Sequence, residues 1–320
     1  MVGILNLDKP AGISSQAALT RLKRSCGEPR IGHAGTLDPL ATGVLPVFLG
    51  RATVLAERLL RAGKTYEAAI RLGAGSDTDD AAGTLVPAPV PADLDRAAVE
   101  SALRGFVGRI RQRPPAYSAV KVEGERSYKL ARRGGEQAAP APAEREVEVR
   151  AIELTAFENG PADADPGFPA AGGLAPVATL APALAAGPLL RVVVDCGSGF
   201  YVRALARDLG RALGTRGHLE SLRRTRVGEL RVEDAIPLAE AQALGPELAA
   251  RLLPPALALE GLLRVEVGPA GTVPLRHGND IPAIGAPDGE AWAADAVGRV
   301  LALGRIRRGR FLPHRLVELS

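Results

Sequence analysis

Cysteine is almost missing from this chain: Cys26 and Cys196 are the only two in 320 residues. Two thiols are too few for a disulfide framework, and with four scattered histidines they give no metal-ligand spacing, which excludes structural zinc. Long apolar runs are also lacking. Those present, such as 182–190, are short and broken by Gly and Pro, which excludes a helical membrane protein. Met1–Asp8 has no basic stretch leading into an apolar core and a small-residue cleavage site, so no export signal is expected and the cytoplasm is the expected location. Aromatic residues are 3% of the chain, too sparse for a surface that stacks many single-stranded bases. Lysine is scarce as well, with only Lys9, Lys23, Lys64, Lys121 and Lys129 among 40 basic residues. The rest are arginines, whose planar fork suits phosphate, although the abundance of Ala, Gly and Pro points to coding bias as the main source of that excess.

The remaining composition allows two domains and a sizeable core, with 46% hydrophobic residues and 24% charged. A net charge of +4 permits a nucleic-acid partner without demanding one. The patterning is α+β, without regular βαβ repetition. Met1–Asp8 reads as a strand, 9–12 as a turn, and Ser14 or Ser15 as the cap of a helix with Ala18, Leu19 and Leu22 on one face. Strands are expected at 66–72, 145–157 and 189–196. Helices are expected at 93–107, with Leu94, Ala97, Ala98, Leu103 and Phe106 inward, at 201–213 and at 237–253. Gly134–Ala143 and Gly160–Pro188 are rich in Ala, Pro and Gly and read as flexible loops. From Leu263 short strand-like runs at 264–267, 299–303 and 315–319 suggest a small β-barrel, dividing the chain into 1–262 and 263–320.

One residue stands apart. Between Ile31 and Gly50 the only formally charged side chain is Asp38, in Gly32-His33-Ala34-Gly35-Thr36-Leu37-Asp38-Pro39-Leu40-Ala41-Thr42-Gly43. A carboxylate in an apolar, glycine-rich setting loses hydration, so it is either neutral or held ionised by hydrogen bonds or a cation. Pro39 biases Asp38 toward an extended conformation. The pattern presents a single acid, or else an Asx-turn that caps local amides.

This loop resembles the signature loop of the TruB family of tRNA pseudouridine synthases. Six further stretches resemble the family in order: 7–15 (Leu-Asp-Lys-Pro-Ala-Gly-Ile-Ser-Ser), Gly63–Tyr66, Leu72–Gly83, Gln112–Lys121, Cys196–Gly210 and Leu222–Thr225. The resemblance runs from residue 3 to about 230, and the tail resembles the family's small PUA-type RNA-binding domain. It implies a mixed, largely antiparallel sheet flanked by helices and loops, and isomerisation of the T-loop uridine numbered 55 in tRNA to pseudouridine. It implies no cofactor, in keeping with the lack of a P-loop or dinucleotide fingerprint.

By the same resemblance Asp38 is the nucleophile, toward the sugar C1′ or the uracil ring, with both routes open. Arg203 is its ion-pair partner, Tyr66 stacks on the uracil and is a catalytic candidate for carrying a proton during the rearrangement, Tyr201 contacts substrate, and Leu222 packs on the flipped nucleotide. His33 contacts RNA and helps hold the nucleotide out of the T-loop stack. Lys9 is placed at the rim of the site, with structural support for the loop as its alternative, and Arg207 and Arg211 are left solvated or on phosphate. Asp77, Asp79 and Asp80 read as a solvated turn. Arg305, Arg307, Arg308, Arg310 and Arg315 form a candidate RNA-contact group. Val54, Phe200 and Ala34 depart from the family's usual residues, which touches local RNA contacts and no catalytic group. The expected partner is the tRNA T-arm stem-loop, with no membrane, no obligate protein partner and a monomeric chain. The alternatives are a non-catalytic RNA-binding or tRNA-folding protein and a guide-RNA-dependent synthase acting on ribosomal RNA.

Overall fold

The computed structural model describes residues 1–118, 142–159 and 187–319, and the backbone of 121–122 and 125–126. Most of the two Ala/Pro-rich stretches expected to be flexible, 134–143 and 160–188, lies outside the described residues.

In chain order the strands are β1 (Gly3–Lys9), β2 (Ile31–His33), β3 (Thr42–Leu49), β4 (Lys64–Leu72), β5 (Ala74–Ser76), β6 (Leu85–Pro87), β7 (Gly108–Gln112), β8 (Lys121–Val122), β9 (Glu125–Arg126), β10 (Arg145–Glu158), β11 (Leu189–Cys196), β12 (Gly217–Val227), β13 (Leu230–Arg231) and β14 (Ile236–Pro237). The main sheet runs β14-β1-β3-β12-β4-β11-β10-β7, with β2 on β3 and β13 on β12. Its pairs are antiparallel except β1 with β14 and β12 with β3. This is the mixed, largely antiparallel sheet that the resemblance implied.

Strand β12 holds the centre, between β3 and β4. Arg224 pairs with Gly43 across the parallel contact and with Tyr66 across the antiparallel one. Gly43 has φ of 98°, and a Cβ there would fall 2.2 Å from the Arg224 carbonyl oxygen, so only glycine lets the two backbones approach.

The helix Ser15–Cys26 follows the expected chemistry: the Ser14 hydroxyl accepts from the Ala17 amide, Ala18, Leu19 and Leu22 are buried, and Gly27 closes it in the left-handed conformation. Two other helices are shorter than their patterns suggest. The helix expected at 93–107 spans Arg96–Arg104, capped by Asp95, with Val99 and Leu103 buried and Ala97 and Ala98 exposed. The one expected at 237–253 ends at Leu244, because Gly245 takes φ of 52° and starts a separate 3-10 segment.

The tail forms a second sheet of β15 (Leu263–Glu266), β16 (Ile281–Pro282), β17 (Gly289–Ala294), β18 (Val300–Arg307) and β19 (Arg310–Leu319). Its order, β15-β17-β18-β19-β16, is an open path among the described residues, where a closed barrel was expected. Trp292, Val300, Leu303 and Leu319 of this sheet join Ile4, Phe48 and Leu55 in one apolar cluster, so the tail packs on the main body. No helix among the described residues is long and apolar enough to cross a membrane.

Candidate active site

The loop bearing Asp38 leaves β2 and returns as β3, and the chain fastens it at several points. Arg224, itself buried, donates to Gly35 O at 2.8 Å and to Val44 O at 2.7 Å, which ties both flanks together. The buried Ser15 hydroxyl accepts from the Leu37 amide at 2.9 Å and donates to Leu37 O at 3.0 Å. Gly12 N donates to Pro39 O at 2.8 Å, so the residues on each side of Asp38 are both held by the 12–15 segment. Segment 10–13 is secured in turn by Lys9, whose ammonium donates to Pro10 O at 2.7 Å and Ile13 O at 2.8 Å.

Lys9 is therefore fully buried beneath the loop, which fits the alternative of structural support and not the rim position. Burial pushes its ammonium down from 10.5 to about 8, and the charge of Asp38 partly offsets this. The folded chain thus gives up this proton before the unfolded chain does. The stability contributed by this group rises with pH between about 8 and 10.5. In denaturant unfolding at about pH 7 and about pH 10, the stability advantage of the parent over Lys9→Met is expected to grow at the higher pH. A constant difference would count against this account of Lys9.

Arg203, in the second position of the helix Val202–Ala212, meets Asp38 with two nitrogens: Nε is 2.9 Å from Oδ2, and Nη2 donates to Oδ1 at 3.1 Å. The same guanidinium donates to Thr78 O and Tyr117 O, each at 3.0 Å, and lies 3.7 Å from Asp80 Oδ2. Arg203 is 6% exposed, whereas the Asp38 side chain is 33% exposed. The acid is thus not dry, as the sequence reading supposed: one side is pinned to Arg203 and the other is open.

Asp80 was missed. Read as part of a solvated turn, it is buried, accepts from Thr78 Oγ1 at 2.6 Å and from Ala82 N at 3.1 Å, and shares Arg203 with Asp38. Burial pushes its carboxyl upward, and Arg203 opposes that shift. Asp79 is also buried, and accepts from Arg207 at 2.8 Å. Arg207 also donates to Asp208 and Arg113 O, which corrects its expected place in solvent; Arg211 is 71% exposed. Among the described residues no group of three or more His, Cys, Asp or Glu is placed to hold a metal.

Tyr66 lies on β4 opposite Arg224, buried, with its phenol pushed upward by burial and drawn partly back by the Arg224 charge. Leu222 is buried in the same cluster as Tyr66 and Leu37. His33 is half-buried at the end of β2, its proton affinity lowered by burial and by Arg224, and its Nδ1 has no hydrogen-bond partner in the structure. Tyr201 precedes the Arg203 helix, half-buried, with Arg145 4.9 Å over its ring. Phe200 and Ala34 are buried in apolar clusters, and Val54 packs beside one of them, so packing occupies all three departures from the family pattern.

Arg224 stands in one of the resembling motifs without a role of its own, yet its side chain hydrogen-bonds both flanks of the Asp38 loop. Its signal was two consecutive arginines in a segment with few apolar residues, which reads more naturally as surface. Ser15→Ala should expose the importance of the other fastening. It leaves the Leu37 N–H and C=O buried without partners, which costs about 1–3 kcal/mol. Chemical denaturation checks this, and a change smaller than the measurement error would dismiss the brace.

The chain resembles known proteins along most of its length. The TruB family pseudouridylate synthase (N terminal domain) model matches residues 23–165, and the tRNA pseudouridylate synthase B C-terminal domain model matches 203–259. The chain is 41% identical over 319 residues to a tRNA pseudouridine synthase B of Xanthomonas campestris pv. campestris (strain B100), covering 98% of this chain and 93% of the relative. It is 44% identical over 269 residues to the tRNA pseudouridine synthase B of Gloeobacter violaceus, covering 84% of this chain and 82% of that one. Among solved structures, a chain of an H/ACA ribonucleoprotein bound to a substrate RNA containing 2′-deoxyuridine aligns with TM-score 0.68 at 22% identity, covering 98% of this chain and 84% of its own. That likeness concerns the fold alone. With near-complete coverage at about 40% identity and two family models in register, the chain belongs to the TruB family of pseudouridylate synthases.

Proposed function

We propose that this chain converts uridine to pseudouridine in tRNA, at the T-loop position numbered 55, with Asp38 as the nucleophile. The curated relatives named tRNA pseudouridine synthase B support the reaction and the tRNA substrate. The observation that carries the assignment to Asp38 is its two-nitrogen contact with Arg203 on a loop fastened on both flanks, with one side left open. Such a carboxylate is charge-paired and oriented while still able to reach a nucleotide.

In this reading the nucleotide is extruded from the T-loop, so that Tyr66 meets its ring, Leu222 forms an apolar wall, and His33 and Tyr201 contact the RNA. The N1–C1′ bond breaks, the uracil turns, and a C5–C1′ bond forms, the proton lost from C5 being balanced by the one N1 takes up. No atom is gained or lost overall. Lys9 supports the loop from below rather than touching substrate. Residues 263–320 act as a PUA-type RNA-binding module, in which the exposed Arg305, Arg307, Arg308 and Arg315 supply phosphate contacts; Arg310 is committed to Asp280.

The test is to incubate the purified chain with a bare T-arm stem-loop and map pseudouridine. Product at the single T-loop uridine, with no other protein or RNA added, is the expected result. Product only with a guide RNA, or binding without product, would overturn the reading in favour of a guide-dependent synthase or an RNA-binding protein.

A further inference from the structure

We propose that Gln112 is a positioning residue for the Arg203 helix, and that with its cross-strand neighbour Arg145 it sets the entry turn of that helix for catalysis. This rests on the reaction proposed above.

The helix carrying Arg203 begins at Val202, and Tyr201, which precedes it, offers no side-chain cap. The geometry at that point is supplied from the far edge of the sheet. Gln112, at the end of β7, is buried. Its amide accepts from Tyr201 N at 2.9 Å and donates to Tyr201 O at 3.1 Å. A primary amide used in this way stands in for a neighbouring strand, satisfying both backbone groups of one residue at once.

Arg145 lies directly opposite Gln112 in the β7–β10 register. It donates to Gly199 O at 2.8 Å and stacks 4.9 Å over the Tyr201 ring. One cross-strand pair therefore holds residues 199 and 201 by three hydrogen bonds and a ring contact. The chain after Gln112 continues the same brace: Arg113 O accepts from Arg207 at 2.8 Å and Tyr117 O accepts from Arg203 at 3.0 Å. Segment 112–117 thus touches residue 201 just before the helix and residues 203 and 207 within it. The Asp38 pair depends on where that helix starts.

Two substitutions separate positioning from bulk stability. Gln112→Met keeps the volume and removes both bonds to Tyr201. Gln112→Glu keeps the acceptor for Tyr201 N and removes the donor to Tyr201 O. Single-turnover rates on tRNA, equilibrium tRNA affinity and thermal midpoints are measured beside the parent.

The expected result is a rate about tenfold or more lower for Gln112→Met with affinity within about threefold, and a smaller loss for Gln112→Glu. A rate within about twofold of the parent for folded Gln112→Met, or a rate loss matched by an equal affinity loss, would overturn the inference. If Gln112→Met does not fold, Arg145→Lys decides. It keeps the charge but loses the planar stack and the fork, and the same split between rate and affinity is expected. Parent activity on tRNA tests the proposed reaction separately, so failure of one reading does not disguise failure of the other.

Discussion

Asp38→Asn is expected to reduce pseudouridine formation by about four orders of magnitude or more while tRNA affinity stays within about threefold. Asparagine has nearly the same shape and can still accept a hydrogen bond from Arg203 through its remaining oxygen, so the loop fastened by Arg224, Ser15 and Gly12 has no reason to move. What disappears is the charge and the nucleophilic oxygen pair. The check is single-turnover mapping of pseudouridine at saturating enzyme, with binding measured on the same preparation. Turnover comparable to the parent would remove Asp38 from its role, whereas a parallel collapse of affinity would make it a binding residue.

The second large effect is expected from Arg203→Ala. This guanidinium faces Asp38 and Asp80 and holds two backbone carbonyls, Thr78 O and Tyr117 O. Removing it leaves Asp38 and two carbonyls without their donor and takes a counter-charge from Asp80, which keeps its bonds from Thr78 and Ala82. Breaking a buried pair costs about 3–5 kcal/mol, and the exposed third of Asp38 places the expected loss near the lower end, at about 3 kcal/mol. Activity should fall by about a thousandfold or more, since Asp38 then loses both orientation and its counter-charge. Arg203→Lys should recover stability better than rate, because an ammonium restores the charge but cannot meet both Asp38 oxygens and two carbonyls in one plane. A near-parental rate in Arg203→Ala would show that another group pairs with Asp38.

Asp38 was legible because isolation is a local property: a lone acid among apolar residues and glycines is visible without any knowledge of the fold. The Ser15–Cys26 helix was legible for the same reason, since its cap, its apolar face and its terminal glycine all lie within one stretch. Asp79, Asp80 and Arg207 were misjudged because charge was equated with exposure, and the ion pairs of Asp79 with Arg207 and of Asp80 with Arg203 join segments more than 100 residues apart. For Lys9 the rim position and structural support for the loop were both open, and its burial with bonds to Pro10 O and Ile13 O favours support. Ala97 and Ala98 fit an inward face by spacing, yet alanine buries too little surface to decide which side of a helix faces the core. Strand β12 escaped reading altogether, for its arginines obscure the alternation that a half-buried strand would show, and its register is fixed only by neighbours on both sides.

The central place of β12 has a consequence for how the enzyme comes into being on the ribosome. Its two neighbours, β3 and β4, are synthesised about 150 residues earlier and have no common partner until residues 217–227 emerge. Arg224, the fastener of the Asp38 loop, arrives with that strand, and Arg203 only shortly before it. A nascent chain stopped short of residue 217 would therefore carry Asp38 and Tyr66 yet have a gap where its sheet should close. Competence therefore arises late, when a strand made after residue 216 is inserted between two made before residue 73.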